Sequence, residues 1–196
     1  MVRMKELNLE TAIERIIKLN TGLGAFWSNA SGWAPDGAAA LMSKSRLDRQ
    51  ISLSECLNIW IFDKTVKHED GALILAWTNL GSLIEGTLKL FLAVYYEDYQ
   101  KDMEAFKDKK GNIVDPDVLV LEKLRVFFNK KKLWSDEWNK FVLNVQRYRN
   151  AIHSFKDREI GTFEKFEESV RTYLLLIREI NSRLPYPDDV YEPSEI

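Results

Sequence analysis

Apolar residues recur along this chain at intervals of three and four, and no stretch alternates strictly between apolar and polar. Intervals of three and four mark one face of a helix, whereas alternation would mark a strand, so the pattern predicts an all-α chain. Leu9 to Leu19 reads as a first amphipathic helix, with Ile13, Ile16 and Ile17 on one side. The glycine-rich "NTGLGAFWSNASGWAPDG" then predicts a break. Trp27 and Trp33 within it predict an ordered loop packed onto the rest of the molecule, with a substrate platform as the less favoured role. Asp36 after Pro35 offers a cap for a helix through "AAALMSKSRLDRQ". Ser52, with Glu55 three residues on, has the pattern of a capping box for "SLSECLNIWI".

The second half predicts longer helices. A central one runs from near Asp70 to about Asp98 and is apolar on most sides. Asn79, Glu85 and Lys89 within it exclude a membrane span, because ionisable groups at mid-bilayer cost roughly 2.5–3.5 kcal/mol each. "KDKKGNIVDPD" is a charged, turn-rich break, after which Asp115-Pro116 starts a helix burying Val118, Leu121, Leu124, Phe127 and Phe128. Ser135, followed by Asp136 and Glu137, starts another that carries Trp138, Phe141 and Val145. Gly161-Thr162 breaks the chain before a closing helix that runs to about Leu184 and buries Phe166, Val170, Tyr173, Leu174 and Ile177. Pro185 and Pro187 end it, leaving a tail. The expected organisation is an N-terminal helical extension over 1–69 packed on a helical bundle over 70–184, then a tail over 185–196.

Composition narrows the class of function. With 45% hydrophobic and 12% aromatic residues the chain has ample material for a core, and a net charge of −2 argues against general coating of nucleic acid by a basic surface. The single cysteine, Cys56, allows no disulfide within one chain and reads as a small buried hydrophobe. Charges interrupt every apolar run near the N-terminus, so no signal peptide is read there and the expected location is cytoplasmic. No P-loop, dinucleotide glycine pattern or zinc-like ligand spacing occurs, so neither cofactor nor metal is expected.

Chemistry concentrates in "VQRYRNAIHSF", residues 145 to 155. At ~100° per residue Arg149 and His153 lie only ~40° apart on a helix, and Arg147 lies ~120° from His153, joining it only where the helix unwinds. Arginine donates a planar fork to a phosphate and histidine shuttles protons near neutral pH, so together they can support phosphodiester chemistry without a metal. Asn150 can orient the imidazole or a phosphate by hydrogen bonding. The spacing by itself is weak, with about 0.45 such matches expected by chance in a chain of this composition. Its place at a helix end, before one closing helix, adds to it.

"RYRNAIHSF" followed by that closing helix resembles the HEPN superfamily, whose pattern is an arginine, a polar residue that is often asparagine, and then a histidine after four to six intervening residues. "LIEGTLKLFL", residues 83 to 92, is similar to the glutamate-plus-lysine helix of these bundles. The resemblance covers roughly residues 70–184. It implies a bundle that dimerises with two motifs face to face, and a metal-independent endoribonuclease of toxin–antitoxin or phage-defence type, with RNA as substrate and an antitoxin or other regulatory protein as partner. His153 would be the general acid or base, and Arg149 or Arg147 would hold the phosphate. A two-fold axis would also supply the second histidine that in-line attack benefits from.

Two departures from the pattern stand out. Arg149-Asn150 is the expected dipeptide but only three residues separate Arg149 from His153, whereas Arg147 has five between yet is followed by Tyr148. Both arginines therefore stay open as the catalytic one. In family toxins silenced by AMP transfer a tyrosine lies two residues after the histidine, and here that position is Phe155.

Further candidates surround this stretch. Glu85 and Lys89 form a favourable helix pair, and Glu85 is a candidate support for the active site. Lys130, Lys131 and Lys132, and separately Arg46 and Arg49, are candidate contacts to RNA backbone, against plain solvated helix ends. His68 falls in a polar loop and is expected in solvent. The alternative to an enzyme is a non-catalytic module of the same fold that binds RNA or a protein partner.

Overall fold

The computed structural model describes residues 7–63, 69–153, 155–188 and 191–195, and these are all-helical, with no strand and a single isolated bridge between Lys107 and Ile113. Among the described residues nine α-helices follow in order: α1 Leu9–Trp27, α2 Asp36–Lys44, α3 Leu47–Glu55, α4 Leu57–Phe62, α5 Asp70–Val94, α6 Tyr96–Lys101, α7 Leu121–Lys130, α8 Asp136–Arg149 and α9 Phe163–Asn181. Two 3-10 turns, Pro116–Val118 and Asn150–Ile152, precede α7 and follow α8. No helix among them is long and apolar enough to cross a membrane.

The axis of the fold is α5, whose buried residues lie on nearly every side and which packs against α8 and α9 and against the shorter helices. One continuous core runs from Ile13 and Leu23 of α1 through Trp77, Leu80 and Leu88 to Phe128, Phe166 and Tyr173. Burying each large apolar side chain stabilises by roughly 1.5–3 kcal/mol, so α1, lying on α3 and α9, is part of the same cooperative unit as the later helices. The buried Tyr173 hydroxyl meets Thr87 Oγ1 at 3.0 Å and Gln50 Nε2 at 3.4 Å, joining α9, α5 and α3. Burial pushes this phenol up to about 12.

Several predicted boundaries move, each for a physical reason. The first helix does not stop near Leu19 but continues through Gly22 and Gly24 to Trp27. A Cβ on Gly22 would lie 2.7 Å from Pro193 Cβ, and one on Gly24 would lie 2.9 Å from Ile51 Cδ1. These glycines serve close approach by other parts of the chain, not a break. The next predicted helix divides at Ser45 and Arg46, and α3 begins at Leu47, so Ser52 sits inside a helix and caps nothing. The central helix ends at Val94 and α6 resumes after Tyr95. Asp115-Pro116 opens only a 3-10 turn, with Asp115 Oδ1 accepting from the Tyr96 hydroxyl at 2.7 Å.

Trp27 is buried and Trp33 is half-exposed, and both rings pack with Phe26. The segment expected as a tail lies on the helices instead: Trp27 Nε1 donates to the Tyr186 hydroxyl at 3.3 Å, Asn181 Nδ2 donates to the Pro193 carbonyl at 3.1 Å, and Glu195 pairs with Arg178 and Arg15.

Candidate functional site

The motif rides on α8, which begins after Ser135 with Asp136 and Glu137 in its first turn, where acidic groups favour a helix N-terminus. Val142 and Val145 face the core, while Lys140, Asn144 and Arg147 share the exposed side, being four and three residues apart. Two residues advance a helix by ~200°, so Arg149 points away from Arg147 and toward α5.

Gly81 of α5 receives it. A Cβ there would stand 2.6 Å from Arg149 Cδ, so the arginine stem lies directly on the α5 backbone. Arg149 Nη1 then donates to Glu85 Oε2 at 2.7 Å. Glu85 Oε1 accepts from Lys89 Nζ at 2.9 Å, and Oε2 also accepts from the Leu121 backbone N–H at 3.1 Å. Leu121 opens α7, and the preceding residue, Val120, has no side chain able to cap it. Glu85 therefore caps α7 from across the fold and ties α5, α7 and α8 to one carboxylate. Burial opposes its charge, but the hydrogen bonds from Arg149 and Lys89 outweigh that and hold the carboxyl below its ordinary value. The side chains of Arg149 and Glu85 are 27% and 17% exposed, so the pair is mostly shielded with one edge open.

Beyond Arg149 the α-helical pattern gives way to the 3-10 turn Asn150–Ile152, closed by the His153 N–H donating to the Asn150 carbonyl at 3.2 Å. The angular argument linking Arg149 to His153 on an ideal helix stops at this turn. Ala151 is buried and anchors it. His153 and Arg147 are exposed and Asn150 is half-buried, and none of these three side chains makes a hydrogen bond or ion pair among the described residues. Ile152 beside the histidine is 42% exposed, and the Phe155 ring stands wholly in solvent. The chain then returns to the core where the Ile160 carbonyl accepts from Trp77 Nε1 at 2.7 Å. A polar cleft of about 560 Å³ opens between Ala151 and the start of α9, bordered by Lys156, Arg158 and Lys165.

Of the candidates read from sequence, the fold brings Glu85, Lys89 and Arg149 together. The lysine run lies elsewhere. Arg125 Nη1 donates to Asn139 Oδ1 at 2.7 Å across antiparallel α7 and α8, which sets residues 130–132 near the start of α8, roughly 20 Å along the helix from Arg149. There Lys130 pairs with Glu104 at 2.8 Å, Lys131 pairs with Asp102 at 2.9 Å, and Lys132 takes the left-handed conformation that ends the helix. Arg46 makes a two-pronged bond to Asp48, and Arg49 is exposed. Arg46 and Lys89 border a common cavity of about 320 Å³. Cys56 is half-buried and free, and His68 lies outside the described residues.

Sequence reasoning missed Gly81, the Leu121 N–H, the Lys140–Asn144–Arg147 face and the cations Lys156 and Arg158. The face was visible in the four-and-three spacing on α8. The Gly81 and Leu121 contacts, which join positions far apart in the chain, had no local signal. Among the described residues no group of three His, Cys, Asp or Glu side chains is placed to hold a metal ion. Comparison of the chain with protein-family models, with curated proteins and with solved structures finds no match.

Proposed function

We propose that this chain is a dimeric, metal-independent endoribonuclease of HEPN type, acting as a toxin or in phage defence. The observation that carries the reading is the arrangement at the end of α8: Arg149 is fixed on Gly81 and Glu85, and an unpartnered His153 follows it after one tight turn. An arginine held this way presents a preset donor edge, which is what stabilising charge on a phosphate requires. The exposed Lys140, Asn144 and Arg147 lead along α8 to the histidine and suit an RNA backbone. The exposed Ile152 and Phe155 beside it suit coverage by a second copy of the chain.

In this mechanism one His153 takes the proton from the RNA 2′-hydroxyl as its oxygen attacks the adjacent phosphorus. The bond from phosphorus to the 5′-oxygen breaks, and the partner's His153 gives that oxygen a proton. The products are a 2′,3′-cyclic phosphate and a free 5′-hydroxyl. Arg149 or Arg147 holds the non-bridging oxygens while charge builds on them.

The test is incubation of pure protein with RNA in EDTA. Cleavage leaving cyclic-phosphate ends, absent in His153→Ala, is expected, and turnover surviving in that variant rejects the reading. Phe155→Ser should shift the chain toward monomer in sedimentation and lower cleavage with it. Growth arrest on expression of the wild type, relieved by His153→Ala, is the expected cellular sign of a toxin.

One observation favours a second reading, a non-catalytic module binding RNA or a protein. Glu85 already neutralises Arg149, which weakens that guanidinium as a phosphate ligand. Binding of RNA without turnover would decide for it.

A further inference from the structure

The bundle has a second concave site at its other end. It lies between the C-terminal part of α5, α6, the end of α7 and the chain leaving α9, roughly 15 Å along α5 from Gly81. The cavity is about 260 Å³, the share of roughly nine water molecules. Its walls are Phe91, Leu92, Phe127 and Leu133, with the Tyr95 and Tyr99 rings. The rings are fixed: Tyr99 meets Phe127 edge-on at 5.1 Å, and Tyr95 leans on Phe91 at 4.9 Å while its hydroxyl donates to the Arg183 carbonyl.

Four charged side chains line this cavity, and three of them are occupied. Asp102 and Lys131 neutralise each other at 2.9 Å. Arg183 pairs with Glu179 at 3.8 Å and donates to the Leu133 carbonyl at 2.6 Å. The fourth, Asp98, is exposed and makes no hydrogen bond or ion pair among the described residues. One carboxylate thus stands uncompensated beside an apolar, aromatic-walled cavity. The same walls already take a cation, since the Arg183 guanidinium sits 4.8 Å from the Phe91 ring centre.

We propose that this cavity binds a small organic monocation, an ammonium or amidinium group carried on a compact apolar or aromatic body, with Asp98 facing the positive nitrogen. Apolar walls with a few placed polar groups are the usual make-up of a small-molecule site. A polyamine fits poorly, because only one carboxylate is free and the body of such a molecule is a string of further charges. An organic anion fits poorly because it would face Asp98 with nothing unpaired to receive it. The site stands apart from the α8 motif and does not rest on the nuclease reading.

The probes are 2-phenylethylammonium, its neutral counterpart 2-phenylethanol and the anionic phenylacetate, titrated into methyl-labelled protein. The cation should move the Leu92 and Leu133 methyl signals saturably, the alcohol more weakly and phenylacetate not at all. Asp98→Asn, a change at an exposed position, should weaken the cation about two- to fivefold and leave the alcohol unchanged. Leu133→Trp should fill the cavity and remove both responses. Absence of a saturable shift with the cation, equal affinity for the alcohol, or no effect of Asp98→Asn on the cation would each overturn the proposal. The comparison of three probes on wild type stands even if Leu133→Trp does not fold.

Discussion

Arg149 donates to Glu85 across 64 positions of sequence at 2.7 Å, and the same carboxylate oxygen accepts the first N–H of α7. A residue that holds a candidate catalytic arginine is thus also the cap of a helix that has none of its own. Stability and site geometry are coupled through one side chain.

Replacing Glu85 with glutamine keeps an acceptor for Leu121 but strands two cations, Arg149 and Lys89. Removing one partner of a buried pair costs 3–5 kcal/mol, and with one edge open this pair should lose about 2–3 kcal/mol. A denaturant midpoint would show it. The contribution also depends on pH. The folded Glu85 carboxyl lies below the ordinary value of 4.5, so its stabilisation is present above that value and fades as pH falls through the folded one. Wild type should lose stability more steeply than Glu85→Gln below about pH 4.5.

Arg147→Ala and Arg149→Ala should separate phosphate binding from architecture. Arg147 is exposed and unpartnered, so its loss should leave stability within about 0.5 kcal/mol of wild type. Arg149→Ala should destabilise as well. If Arg147 holds the phosphate, its variant loses RNA cleavage at full stability. If Arg149 does, Arg147→Ala cleaves nearly normally, and single-turnover rates on one RNA distinguish the two.

Gly81→Ala places a methyl 2.6 Å from Arg149 Cδ, which must move. Overpacking of this kind costs about 1–3 kcal/mol, and here it should also pull the guanidinium off Glu85. Cleavage should fall with little change in the fold, as read by circular dichroism. A fully active Gly81→Ala protein would show that the arginine need not sit on α5.

Alkaline conditions should unfold the chain before its tyrosines titrate freely. Burial, with help from Asp115 in the case of Tyr96, pushes Tyr173 and Tyr96 up to about 12, and burial raises Tyr95, Tyr99 and Tyr186 as well. Phenols of the unfolded chain ionise near 10. Stability is therefore intact below pH 10 and declines as pH rises from 10 toward 12, because the unfolded chain releases protons that the fold retains. Tyrosinate absorbance should rise together with loss of helical signal.

Much of the architecture was readable because it is written in local period. The α8 and α9 helices appear just after Ser135 and Thr162, where the acidic first turn of α8, the Thr162 cap of α9 and the apolar spacing agree. What failed to read was set by distant residues. Gly22 and Gly24 look like a break until Pro193 and Ile51 are seen against them. The start of α7 carries no local signal, because its cap is Glu85, 36 positions earlier. At the site, the conjunction of an arginine, an asparagine and a histidine was legible, as was the Glu85–Lys89 pair. That Arg149 turns inward and Arg147 outward follows from helix geometry, but that Glu85 receives the first needs the packing of α5 against α8.

The seating of α1 against α9 and the closing segment has a consequence for biosynthesis. Arg15 meets Glu195 across 180 positions, and at ribosomal rates of about 5–20 residues per second that separation corresponds to roughly 10–40 s of translation. Over most of that interval the part of α1 that α9 covers lacks its native partner, while α3, made soon after α1, can already cover the rest of its apolar side.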